Sequence, residues 1–371
     1  MSETVRSGGE DSRDDSFVPS LGVVPATVAM AAAFVPVRGG ADDPFVWLAA
    51  AFTVVTVVAF LARRHGALEP ELGGLTAAIS SLLVVLCSGY ALNQGVSGAA
   101  TVPGLGWTIS MLFLALVAAG AAIGFAAADY AGVSSRGLVR RTLRFSTMAG
   151  LGFAGLISMA FVSAFLLSAV MALGGGGSDL DLQFVQYSST AIGLGSIAAA
   201  YLLWRGHGLS YLDLERPDLR SVLWTVGGLA MIFGALVAIS LLMSAIGVDT
   251  AEHGTAQQAE QNPELLVVII PAMILIVGPF EELLYRNVIQ KSLYDTFSRY
   301  GAVVVTSVIF AGVHVAAYGT AGAGEVLASL GVLFGLSLIL GFVYERTDNL
   351  MVPAIVHGCF NAAQMAMIYL A

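Results

Sequence analysis

Eleven long apolar runs constrain this chain more than any other feature. They fall at roughly 20–37, 44–62, 73–93, 105–129, 145–173, 184–204, 222–247, 264–290, 301–318, 326–344 and 350–371. A run of about 20 apolar residues matches the hydrocarbon thickness of a bilayer as an α-helix. Inside that layer every backbone polar group must be satisfied by the chain itself, so only helices or closed barrels can cross. Barrel strands are short and alternate in polarity, which these runs do not. Charged residues make up 11% of the chain, against about a quarter in a soluble domain. The sequence therefore predicts an all-α fold: a polytopic transmembrane helical bundle of about eleven spans. The first run is short and interrupted by Pro25 and Pro36; without it the count is ten. No internal repeat is visible, which weighs against an inverted-repeat transporter.

Charge in the connecting loops alternates. Arg63 and Arg64, Arg136 to Arg144, Arg205 to Arg220, Lys291 and Arg299, and Arg346 follow the even-numbered runs, whereas the intervening loops hold only Arg38. Cytoplasmic loops retain Lys and Arg during insertion. A multi-pass protein of the cell membrane is expected, with its N-terminus cytoplasmic and its C-terminus external. The expected divisions are a disordered polar tail at 1–19, a seven-span region at 20–248, an external polar loop at 249–263 and a four-helix core at 264–371. Two cysteines, Cys87 and Cys359, lie inside apolar runs and read as small buried hydrophobes. His65, His207 and His253 lie in loops and are expected to be solvated. The bilayer and a membrane-associated protein or peptide are the expected partners, with no nucleic acid.

Ionisable groups within the bilayer are costly, so their positions point to function. They cluster in the last third of the chain. PFEELLYR carries Glu281, Glu282 and Arg286; VIFAGVHVAAYG carries Phe310 and His314; PAIVHGCFNAAQM carries His357 and Asn361. At about 1.5 Å rise per residue, all three clusters lie roughly 10–20 Å from one set of helix ends, so they can converge. Residues four apart share a helical face. Glu282 and Arg286 are thus expected to pair, leaving Glu281 free; Phe310 is expected beside His314, and His357 beside Asn361. A carboxylate, two imidazoles and a carboxamide in one pocket suit amide hydrolysis. Glu281 would take a proton from water with the help of His314, while His357 and Asn361 would donate to the oxyanion. Alternatively His314, His357 and Glu281 would hold Zn²⁺, which would activate the water. No H-E-x-x-H spacing decides between these.

In this order, E-E-x-x-x-R, F-x-x-x-H and H-x-x-x-N resemble the motifs of the CAAX protease and bacteriocin-processing (CPBP, Abi) family, which includes the type II CAAX prenyl endopeptidases. The resemblance covers roughly residues 264–371. It implies an intramembrane endopeptidase with a water-accessible site opening toward the cytosol. Glu281 and His314 match the catalytic pair, and His357 and Asn361 the oxyanion site. CAAX-type prenylated proteins are among the substrates implied. The family is described both as glutamate-dependent and as metalloprotease, so Zn²⁺ stays open. Competing readings are a proton-coupled transporter with a Glu/His relay and a non-catalytic membrane scaffold.

Overall fold

The computed structural model describes residues 16–370 apart from 102, 103, 105, 176 and 320. Most of the expected 1–19 tail lies outside the described residues, and the first helix starts at Phe17. The helices are α1 (Phe17–Arg38), α2 (Pro44–Arg64), α3 (Pro70–Asn93), α4 (Met111–Tyr130), α5 (Ser135–Ala172), α6 (Asp179–Arg205) and α7 (Leu219–Ala245). They continue as α8 (Gly254–Gln261), α9 (Pro263–Leu293), α10 (Arg299–Val313), α11 (Ala323–Thr347) and α12 (Met351–Leu370). A two-stranded hairpin, β1 (Ala99–Thr101) with β2 (Thr108–Ser110), pairs Ala100 with Ile109.

Among the described residues, ten helices are long and apolar enough to cross a membrane. The protein is an all-α, polytopic membrane bundle. The first run, despite Pro25 and Pro36, forms one 22-residue helix. The sixth expected span, α6, is the one not among these ten: it has 27 residues, ample length to cross, but is more polar than they are. Large apolar side chains face outward: Phe161, Phe165 and Leu241 are 79, 70 and 66% exposed. In water this would be costly; toward lipid tails it is the favourable arrangement.

Packing divides the chain into two units. One comprises residues 1–142, 248–250 and 322–328, the other 143–247, 251–321 and 329–371. This boundary differs from the expected one at 249–263: α6, α7 and most of α5 group with the last four spans. The expected loop at 249–263 itself contains α8.

The first unit packs α1–α4 through small residues, as expected where helices associate in lipid. Ala26, Ala33, Ala77, Ala122 and Ala126 are all fully buried. A Cβ on Gly74 would meet the Tyr130 backbone at 2.8 Å, so glycine permits the α3–α4 approach. An ion pair at 3.2 Å between partly buried Arg63 and buried Asp129 joins the ends of α2 and α4.

The second unit is built around α9. Pro271 lacks an amide donor and crowds the preceding turn, and wider π-helical turns run over Met273–Val277 and Leu283–Gln290. Between them lies the short α-helical stretch Gly278–Glu282. Such π segments frequently accompany functional sites. There α9 meets α12 backbone to backbone. A Cβ on Gly278 would lie 2.5 Å from the Ala354 carbonyl oxygen, and one on Gly358 2.8 Å from the Met273 carbonyl oxygen. These glycines fix the depth of Glu281 and Glu282 against that of His357.

Candidate active site

The three sequence motifs converge at this crossing. Arg286 Nε donates to Glu282 Oε2 at 2.9 Å, and both side chains are fully buried. The second Arg286 nitrogen, Nη2, donates to Ser337 Oγ on α11 at 2.9 Å. Glu282 Oε1 accepts from His357 Nδ1 at 2.9 Å. The chain Ser337–Arg286–Glu282–His357 therefore ties three helices, and the carboxylate orients the imidazole by accepting its Nδ1–H. The expected Glu282–Arg286 pair is present, and it also holds His357.

Glu281 points elsewhere, toward the free edge of both imidazoles. Its Oε2 lies 3.8 Å from His314 Nε2 and 3.9 Å from His357 Nε2. His314 Nδ1 is 2.7 Å from the Phe310 carbonyl oxygen. A carbonyl only accepts, so Nδ1 carries a proton, and Nε2 is left facing Glu281 and the cavity. Phe310 packs on the His314 ring at 4.4 Å between centroids, with Tyr285 edge-on to Phe310 at 5.0 Å. His314 sits where α10 gives way to a single 3₁₀ turn, His314–Ala316.

Glu281, His314, His357 and Asn361 line one cavity of about 240 Å³. Its apolar walls include Met159, Met273, Val277 and Leu333. Tyr285 and Tyr318 line it too, as do Gln186, Tyr187 and Thr190 of α6. The geometry suits water attack on a carbonyl: a carboxylate flanked by two nitrogens, a carboxamide nearby, and apolar surroundings that strengthen electrostatic effects.

One expectation is corrected. His253 is not a solvated loop residue; it is partly buried and lines this cavity. Its Nδ1 accepts from the Thr255 amide at 3.1 Å, and its ring meets Tyr318 edge-on at 5.2 Å. Burial, and to a lesser degree neighbouring His314, holds its imidazole down at about 4. Burial, then the charge of Glu281, raises the Tyr318 hydroxyl above its ordinary value. The α6 contribution had a sequence signal: Gln183, Tyr187, Thr190 and Leu194 recur at helical spacing on one face. His253 had none, because a histidine in a polar loop stands out from nothing around it.

In a tetrahedral zinc site with bonds of about 2.0–2.2 Å, neighbouring donors lie about 3.3 Å apart. Glu281 is farther than that from both rings. Among the described residues no group of three or more His, Cys, Asp or Glu side chains is arranged to hold a metal ion.

Comparison with known proteins agrees with the motifs. Residues 263–363 match the family model for the type II CAAX prenyl endopeptidase Rce1-like proteins. A Bacillus subtilis (strain 168) protein named "Putative membrane peptidase YdiL" is 29% identical over 153 residues, 40% of this chain and 56% of that relative. The match thus spans little more than half of the relative's length. No solved structure matches this chain. Over residues 263–363 the chain carries the Rce1-like, type II CAAX prenyl endopeptidase pattern, the family that its three motifs resemble.

Proposed function

We propose that this protein is an intramembrane endopeptidase that hydrolyses a peptide bond of a membrane-associated protein. The observation that carries the reading is the Glu281 carboxylate set 3.8 and 3.9 Å from two imidazole nitrogens inside a cavity lined mainly by helices long and apolar enough to cross a membrane. Glu281 takes a proton from the substrate water as its oxygen adds to the peptide carbonyl carbon. His314 accepts a hydrogen bond from that water at Nε2, its own ring held by the Phe310 carbonyl. Asn361, and His357 when its Nε2 is protonated, donate to the oxyanion. The C–N bond then breaks and the proton held by Glu281 passes to the departing amine. The second proton of the water passes from the new carboxyl group to the amine, so one water is consumed and a carboxylate and an ammonium group are released.

The test is cleavage of a membrane-anchored reporter by purified protein in proteoliposomes. Glu281→Gln preserves shape and removes the base, so cleavage should fall by about 10²–10⁴-fold. Parental cleavage by a folded Glu281→Gln variant would refute the mechanism. Proton flux in the parent without cleavage would favour the relay reading instead. Asn361→Ala should cost about 10²–10³-fold in kcat with less effect on KM, since the oxyanion forms only in the transition state.

A further inference from the structure

The cavity is closed at one end. Beyond Glu281, toward the Leu293 end of α9, Glu282, Arg286, Asn287 and Gln290 are all 0% exposed. A second network lies past them. Asp213 accepts from Lys291 at 2.6 Å and from Asn287 at 3.3 Å, and it is also bonded by the Tyr344 hydroxyl. The Leu350 amide donates to the Asp213 carbonyl at 2.7 Å. The segment before α7 is thereby laced across the ends of α9, α11 and α12.

The cavity's other polar wall lies toward the opposite helix ends. It is formed by the first half of α6 (Gln186, Tyr187 and Thr190), by His253 and Thr255 at the start of α8, and by Tyr318 beyond α10. Ala316 at this lip is exposed. Tyr187 is 4% exposed, and its hydroxyl has no hydrogen-bond partner among the described residues. A buried polar group of this kind is costly unless something in the cavity satisfies it, and a peptide backbone would.

The two ends differ in charge. Arg144, Arg205, Arg216, Arg220, Lys291, Arg299 and Arg346 of this unit all lie toward the closed end. The loops and helix ends of this unit at the other side hold Asp179, Asp181, Glu252, Glu260 and Glu264 and, among the described residues, no Lys or Arg. Lys and Arg mark the cytoplasmic side. We infer that the cavity receives its substrate from the extracytoplasmic face. The bond cleaved then belongs to an extracytoplasmic, membrane-proximal segment, not to a cytosolic lipidated tail. This is opposite to the cytosolic opening that the family resemblance implies, and it rests on the endopeptidase reading for the nature of the substrate.

Labelling separates the orientation from the chemistry. In a Cys87→Ser, Cys359→Ser background, Ala316→Cys marks the open lip and Glu215→Cys the closed end. Intact cells are treated with a membrane-impermeant maleimide. Ala316→Cys should be labelled on intact cells and Glu215→Cys only after lysis. The reverse pattern would overturn the inference while leaving the endopeptidase reading untouched. Conversely, loss of that reading through an active Glu281→Gln variant would leave the labelling result standing. As a second measurement, two reporters would place the same cleavable segment on either side of the membrane. The external one should be cut and the cytoplasmic one spared; cutting of the cytoplasmic one alone would equally overturn the inference.

Discussion

Two adjacent glutamates at the site have opposite surroundings, and the difference sorts their roles. Glu282 is enclosed by Arg286 and His357, whereas Glu281 faces the cavity. Removing one member of a buried ion pair leaves the other uncompensated, at a cost of about 3–5 kcal/mol. Arg286→Met should therefore lower the unfolding midpoint in detergent sharply, whereas Glu281→Gln should leave it close to the parent. His253 gives a pH signature. Its folded pKa of about 4 lies below the ordinary 6.5. Between those values the unfolded chain binds a proton that the folded chain does not, so stability falls as pH drops through this window and levels off below it. His253→Gln should flatten that part of a melting-temperature profile. EDTA should leave cleavage intact; a loss restored by Zn²⁺ would instead assign the metal to Glu281, His314 and His357.

At the scale of elements, the motif residues were legible because charge inside an apolar run is rare and spacing of four puts partners on one face. The contributions of His253 and of Asp213 were not, because each comes from a segment distant in sequence that only packing brings near, and the one-faced spacing in α6 did not say which helices that face would meet. The crossing of α9 and α12 was hidden too, since glycine is frequent throughout and only the fold shows which glycines have no room for a methyl. Gly358→Ala would force the backbones apart beside His357. A displacement of about 1 Å at a catalytic group can cost 10²-fold, so reporter cleavage should drop by about that much while membrane insertion is retained. Gly312, with nothing near its Cβ position, is the matching control: Gly312→Ala should keep parental activity.

At the scale of the whole molecule, the apolar runs predicted the class of fold, and the outward-facing Phe161, Phe165 and Leu241 complete it. The protein should stay in the membrane pellet through an alkaline carbonate wash and be released only by detergent; release by alkali would contradict the bundle. The division between units was less legible, because hydropathy shows where helices lie and not which of them pack together. One feature of the second unit limits how it can move. With no clearance between Gly278 and Ala354 or between Gly358 and Met273, α9 and α12 cannot slide past each other without a clash. Three of the four groups that would do chemistry ride on this rigid pair. A peptide must then be admitted by yielding elsewhere, at the wall made by α6 and the turn after His314. There a hydrogen bond, from the Gly254 amide to the Ala317 carbonyl at 3.0 Å, joins the start of α8 to that turn.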